Sequence, residues 1–319
     1  MIPVLKSKVQ IFVQECQMKQ MSEGFLRLAS AIEGDEGGFG FISKIALSKM
    51  IHLQQKRFGT EVLPWVRILY YHGVEPFEIE IFRNQLIYML EHYDIITLQR
   101  ALQLWIDPSA AGTGRYLALT FDDGYLNNLT CAAPVLEELG LPATFFISTG
   151  FVEAKEEGDN NALEQFSRRL DTFSSPLNWE GVKALSDKGF ELGAHAITHR
   201  NMAKLTAHEV EKEVRKSKDR LERKTGAKIR YFAYPYGVPK SFNEDVKKVL
   251  SDTGIEAAFT TMRGNVLCAK DIFEIPRSCI RVAWPSDIID MYLKGRLEKT
   301  LDKIFRLRMR IKPNKYLKP

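Results

Sequence analysis

The sequence predicts an α/β protein in which a mainly parallel sheet is covered by helices, either open or closed into a barrel. Two observations carry that prediction. From Val66 onward, short apolar runs rich in strand formers alternate with helix-length stretches. The residues best suited to chemistry, His72, Asp122, Asp123, His195 and Pro235-Tyr236, all lie at or just after the C-terminal ends of those runs, which in a parallel barrel is the face that carries active sites.

Each element has its own local reason. Residues 4–33 read as helix, because Leu5, Val9, Phe12, Val13 and Cys16, then Phe25, Leu28, Ala29 and Ile32, recur near helical spacing. Gly34, Gly37, Gly38 and Gly40 mark a loop, and a second helical stretch runs from Ser43 to about Arg57. Residues 1–62 are therefore expected to form an N-terminal helical extension packed on the main domain. Val66 to Tyr71 is a strand ending at His72-Gly73, Phe77 to His92 an amphipathic helix, and Asp94 to Leu98 a short strand. Tyr116 to Phe121 is the central strand, broken off by Asp122-Asp123-Gly124; Leu126 to Leu139 is a helix closed by Gly140, and Ala143 to Ser148 another strand. Residues 153–178 read as a polar insertion without a clear pattern, followed by a helix from Trp179 to Lys188. Phe190 to His195 is again a strand running into site residues, and Thr206-Ala207-His208-Glu209 is a capping box opening a long charged helix that stops at Gly226. Ile229 to Tyr234, Ala257 to Thr260 and Ile275 to Ile280 complete the strands. The main domain is placed at residues 63–288 and a basic helical tail at 289–319.

Of the 319 residues, 45% are hydrophobic, enough for a substantial core. Charge is uneven: residues 294–319 hold ten Lys/Arg against Glu298 and Asp302, about +8 of local charge in a chain whose total is +5. The tail intersperses Leu293, Leu297, Leu301, Ile304, Phe305 and Leu307 with its cations. That pattern suits peripheral contact with an anionic membrane and equally a solvated helix packed on the body; nucleic acid is not expected as a partner. Cys16, Cys131, Cys268 and Cys279 follow no metal-finger or redox spacing and read as reduced, packed thiols. No apolar run approaches a membrane span, and Lys6 and Lys8 interrupt the apolar start, so the expected location is cytoplasmic, with a membrane-peripheral option.

Two adjacent carboxylates at a strand end repel one another unless a cation sits beside them. His195 and His199 stand four residues apart, and imidazole plus carboxylate is the ligand set of a zinc-like catalytic centre. Thr120-Phe121-Asp122-Asp123-Gly124, His195-Ala196-Ile197-Thr198-His199 and Phe232-Ala233-Tyr234-Pro235-Tyr236-Gly237, in this order, resemble the first three motifs of the NodB-like polysaccharide deacetylases, carbohydrate esterase family four. The resemblance extends over roughly residues 66 to 285.

That resemblance implies a distorted (β/α) barrel of the NodB-homology type, holding one divalent metal, usually zinc, through Asp123, His195 and His199. It implies a hydrolase that removes the N-acetyl group of an amino sugar in a polysaccharide or its precursor. Asp122 would be the general base for the attacking water, and the backbone N–H of Tyr236 would help hold the oxyanion. Where many members have an Arg that orients the base, this chain has Ala233, and Arg277 is the expected replacement. The Leu-x-His that many members use as general acid is missing, since no His follows His208; His72 is the expected substitute, the alternative being a buried structural histidine. Tyr125 and Tyr236 are expected to form part of the sugar-binding surface. Two other readings stay open: a deformylase or other small-amide hydrolase on the same barrel, and a catalytically silent carbohydrate-binding or membrane-associated scaffold.

Overall fold

A computed structural model describes residues 64–170 and 174–294. The expected N-terminal helical extension and residues 295–319 of the expected basic tail lie outside the described residues. Residues 62–282 form one compact unit; of the other, residues 283–294 are described, and they carry a short helix, Ser286–Leu293. No helix among the described residues is long and apolar enough to cross a membrane.

The main unit is built on eight strands: β1 (Trp65–Tyr71), β2 (Asp94–Ile95), β3 (Arg115–Phe121), β4 (Thr144–Ile147), β5 (Glu191–Ala194), β6 (Tyr231–Ala233), β7 (Ala257–Phe259) and β8 (Arg277–Cys279). The sheet runs β7-β6-β5-β4-β3-β1-β8, with β2 added beside β3, and the recorded strand pairings are parallel. A parallel bridge between Phe259 and Ile275 then brings the β7 edge to the segment leading into β8. The result is a nearly closed parallel barrel, which settles the open-or-closed alternative in the direction the family resemblance implies. Strands covered on both faces need unbroken apolar character, and every residue of β1 is buried.

Side chains of alternate residues share a face, and one face of this sheet is assembled from Val66 and Ile68, Ala118, Phe146, Tyr231 and Ala233, and Ala257 and Phe259. Helix α2 (Leu98–Ile106) packs Leu98, Ala101, Leu102 and Leu104 into the same cluster. Gly193 permits close strand packing, since a Cβ there would lie 2.4 Å from the Phe146 ring. Register carries this order to the C-terminal rim. Tyr71 pairs with Phe121, and the Asp122 N–H donates to the Tyr71 carbonyl at 2.9 Å, so His72 and Asp122 leave the sheet at one level.

Several elements depart from the sequence expectation. The strand placed at Asp94–Leu98 ends at Ile95, because the Thr97 hydroxyl accepts the Arg100 N–H at 3.1 Å and starts α2. The polar stretch 153–178 is largely helical: Thr149–Glu157 is one helix and Asn160–Leu170 a second. In the second, Leu163, Phe166 and Leu170 lie on one face and pack with Phe151 and Tyr125. The helix placed at Leu126–Leu139 begins with a π turn, Asn128–Ala132, before Ala133–Glu138. The Thr206 capping box forms as read, opening helix α7 (Ala207–Thr225), which Gly226 closes with φ 76°; here α1 is Ile79–His92, α3 Ala133–Glu138, α4 Thr149–Glu157, α5 Asn160–Leu170 and α6 Trp179–Asp187.

Candidate metal and catalytic site

Three strand ends supply the core of the site. Asp122 and Asp123 follow β3, His195 and His199 follow β5, and Tyr236 follows β6. Alternation along β3 would send the two aspartates to opposite faces. A left-handed φ of 73° at Asp123 breaks the alternation. Among the described residues, those other than glycine with positive φ are Asp123, Ala196, His199 and Tyr236, all within the three motifs. Such conformations cost about 1–3 kcal/mol each and persist only where surrounding contacts enforce them.

Asp123, His195 and His199 are buried and offer one ligand atom each, all within 4.8 Å of one another. His195 Nδ1 lies 2.8 Å from the Ala233 carbonyl, which can only accept, so Nδ1 carries the proton and Nε2 faces Asp123. Nε2 of His195 is 3.3 Å and Nε2 of His199 is 3.6 Å from Asp123 Oδ1, yet Oδ1 accepts no hydrogen bond. A buried carboxylate oxygen left without a donor is costly, and this one is aimed at two imidazole nitrogens. Burial alone would push the Asp123 carboxyl up, but the surrounding imidazoles win and hold it well below the ordinary carboxylate range. Burial pushes His199 down to about 4, which leaves it neutral at pH 7. An ionised carboxylate beside a neutral imidazole is the protonation state of a metal ligand set. Burial works against the charged form of His195 too, but the neighbouring carboxylates outweigh it and raise that imidazole. A positive charge at this point is what the three groups are arranged to meet, and the donor set of one carboxylate and two imidazoles fits a zinc-like cation.

Asp122 has a different environment. Its Oδ1 accepts from Arg277 Nη1 at 2.7 Å and its Oδ2 from Arg277 Nη2 at 2.8 Å, a bidentate pair buried on both sides. Arg277 is itself fixed: Nη1 also donates to Thr120 Oγ1 at 3.1 Å and Nε to the Thr260 carbonyl at 3.1 Å, with the guanidinium over the Tyr70 and Phe146 rings. The position comes from register, because Ile68 of β1 pairs with Arg277 of β8. A residue 155 positions away is thereby brought onto Asp122.

The remaining expected residues divide. His72 is exposed at the end of β1, its ring 5.7 Å edge-on from Tyr70, and it acts electrostatically on both Asp123 and His199. The buried-histidine alternative is thereby corrected. Tyr236 is half-buried, its ring 5.0 Å from His199, and its carbonyl accepts from Thr261 Oγ1 at 2.7 Å. Tyr125 requires a correction as a sugar-stacking surface. It is 3% exposed, edge-on to Phe151 at 5.7 Å, in the satellite core that helix α5 completes. Sequence reasoning also missed Glu213, a buried carboxylate on α7 that binds the backbone of the histidine loop.

Residues 109–258 match the family model described as polysaccharide deacetylase. This chain carries a polysaccharide deacetylase domain of the NodB-like family. The match on the deacetylase domain takes in Asp122, Asp123, His195, His199 and Tyr236, and stops short of both His72 and Arg277. The chain is 27% identical over 166 residues to the poly-beta-1,6-N-acetyl-D-glucosamine N-deacetylase of Staphylococcus epidermidis, covering 51% of this chain and 54% of that protein. It is 26% identical over 172 residues to YxkH of Bacillus subtilis, covering 54% and 53%. The chain thus spans about half the length of the curated relatives it matches. Among solved structures, the deacetylase PplD of Streptococcus pyogenes in complex with acetate superposes with a TM-score of 0.59 at 19% identity, covering 72% of this chain and 98% of that one. IcaB of Ammonifex degensii gives 0.58 at 23% identity, covering 72% and 97%. These structural likenesses speak to the barrel that carries the deacetylase domain.

Proposed function

We propose that the protein hydrolyses the N-acetyl amide of an amino sugar in a polysaccharide or its precursor, with Asp123, His195 and His199 holding one divalent metal, zinc by preference. The observation that carries the reading is the pair of unlike carboxylates: Asp123 with an oxygen left for a cation, beside Asp122 held by Arg277. The name of the Staphylococcus epidermidis relative supports an N-acetylated glucosamine polymer as the substrate class.

When bound, such a metal supplies a Lewis acid that polarises the amide carbonyl and acidifies water, which an unactivated amide requires. Asp122 takes the proton of the attacking water. A carboxylate offers about four lone-pair sites, so the two engaged by Arg277 leave acceptor capacity for that proton. Arg277 fixes the carboxylate plane through two buried hydrogen bonds. The Tyr236 N–H, turned by its φ of 63°, is the candidate donor to the oxyanion. His72, exposed on the rim, is the group suited to protonating the departing amine.

Elemental analysis of the purified protein beside His195→Ala tests the metal, and acetate release from N-acetylglucosamine oligomers tests the reaction. About one equivalent of metal in the wild type, lost in the variant, together with acetate release, is the expected result. Protein that stays metal-free after reconstitution, or releases formate and no acetate from matched N-acyl substrates, would overturn it.

A further inference from the structure

The five residues from His195 to His199 leave β5 and turn twice through left-handed backbone, at Ala196 (φ 61°) and at His199 (φ 50°). Neither residue favours that conformation, so something outside the loop must hold it. Helix α7 does so from one side. Glu213 Oε2 accepts the Ile197 N–H at 2.8 Å and the Thr198 N–H at 2.9 Å. Its Oε1 accepts from the Thr198 hydroxyl and from Arg200 Nη2, the latter at 3.2 Å. One turn further on, Ser217 Oγ donates to the Ala196 carbonyl at 3.1 Å. The first residues of α4 also hold the loop, where the Thr149 and Gly150 N–H groups donate to the Ala196 and Ile197 carbonyls at 3.2 and 2.9 Å.

Glu213 is 3% exposed. A buried carboxylate is tolerated only when its lone pairs are filled, and here four donors fill them. All four recorded partners belong to residues 197–200, the stretch between the two imidazoles and just beyond. The carboxylate and the loop conformation therefore depend on one another. Arg200 extends the tie, since its Nη1 donates to Glu209 Oε1 at 3.1 Å, and Glu209 is the capping-box residue that starts α7. The helix and the loop are locked in register.

We infer that Glu213 is a positioning residue for the metal site: it holds the left-handed histidine loop so that His199 faces Asp123 and His195. The inference rests on the metal reading above. The sequence gives no hint of it, because Glu213 lies within a helix rich in exposed charge and 14 positions beyond His199.

The test is Zn2+ affinity of metal-stripped protein, read by competition with a chromophoric chelator, with the thermal midpoint of the apo form recorded beside it. Glu213→Ala is expected to bind Zn2+ about 10–100-fold more weakly than wild type, the range seen when an outer-shell partner is lost. Glu213→Gln keeps a carbonyl for the two peptide N–H groups but turns an amide toward Arg200, and its loss should be smaller and still measurable. Leu221→Ala, two turns along the same helix at a fully buried position, is the comparator for generic destabilisation. Weaker binding by the Glu213 variants, with Leu221→Ala near wild type despite a lower midpoint, supports the inference. Unchanged affinity in both Glu213 variants overturns it, as does an equal loss in Leu221→Ala. Should Glu213→Ala fail to fold, Glu213→Gln at an unchanged midpoint decides alone: weaker binding supports, unchanged binding overturns. Wild-type protein that binds no Zn2+ fails the metal reading itself, a result distinct from tight wild-type binding that the Glu213 variants leave intact.

Discussion

Asp122 and Asp123 are neighbours in the chain, and both are buried, but the fold satisfies only one of them. Arg277 closes on Asp122 with two hydrogen bonds, while Asp123 Oδ1 faces two imidazoles and accepts none. Burying a charge is expensive unless it is paired, so each aspartate needs its own positive partner. The protein supplies the first from its own sequence. For the second it supplies an arrangement of ligands. Under the function proposed above, the difference separates a base from a ligand: the carboxylate already paired with Arg277 would be the one to move a proton, and the one left open would be the one to meet a cation.

The largest expected effect comes from exchanging the two roles. Asp122→Asn should reduce acetate release by about 10²–10⁴-fold per folded molecule with metal content retained, whereas Asp123→Asn should lose the metal as well. Equal metal loss in the two variants would erase the distinction. Next is Arg277→Met, which strands the Asp122 charge in the interior and should lower unfolding free energy by about 3–5 kcal/mol. Urea denaturation measures it, and the cost should shrink in an Asp122→Ala background; an equal cost there would mean that Arg277 acts through its packing on Tyr70 and Phe146.

Metal removal sharpens the Asp123 side. Zn2+ at about 100 times its dissociation constant adds roughly 2.7 kcal/mol to a protein with one site, so a chelator should lower the wild-type midpoint and leave His195→Ala unmoved. A chelator effect of the same size in both would place the metal elsewhere. The smallest effect is a control on the surface. The Thr206 backbone N–H and hydroxyl, with Arg200, hold Glu209 down to about 2. Its folded value lies below the ordinary Glu range, so the associated stability is present above that range and is lost as pH falls toward 2. Side-chain NMR titration that returns an ordinary Glu value would show that the capping box frays in solution.

Local sequence made the site's contents legible. An apolar run that stops at Asp122-Asp123-Gly124, two histidines four apart after another such run, and Pro235-Tyr236 after a third all require only a window of a few residues, because strand ends are local events. Arg277 was readable for a related reason, as an arginine inside a predicted strand of the same barrel with a vacancy at Ala233 to explain it. Tyr125 shows where that reasoning stops. Its place beside the aspartates suggests a surface role, and helix α5, some 40 residues later, covers it.

By itself the sequence determined the alternating elements, a mainly parallel sheet covered by helices, the cluster of ionisable groups on one rim and the capping box of α7. These follow from periodicity, which short-range sterics and burial impose on any stretch of chain. Tertiary structure alone decided which oxygen stays open, that Tyr125 is core, and that Glu213 holds the histidine loop. Each of those depends on register between strands or on a helix packed against a loop, contacts between residues far apart in the chain whose geometry no local pattern encodes. Left-handed backbone at Asp123, Ala196, His199 and Tyr236 belongs with them, since no residue there favours it and only the surrounding fold enforces it.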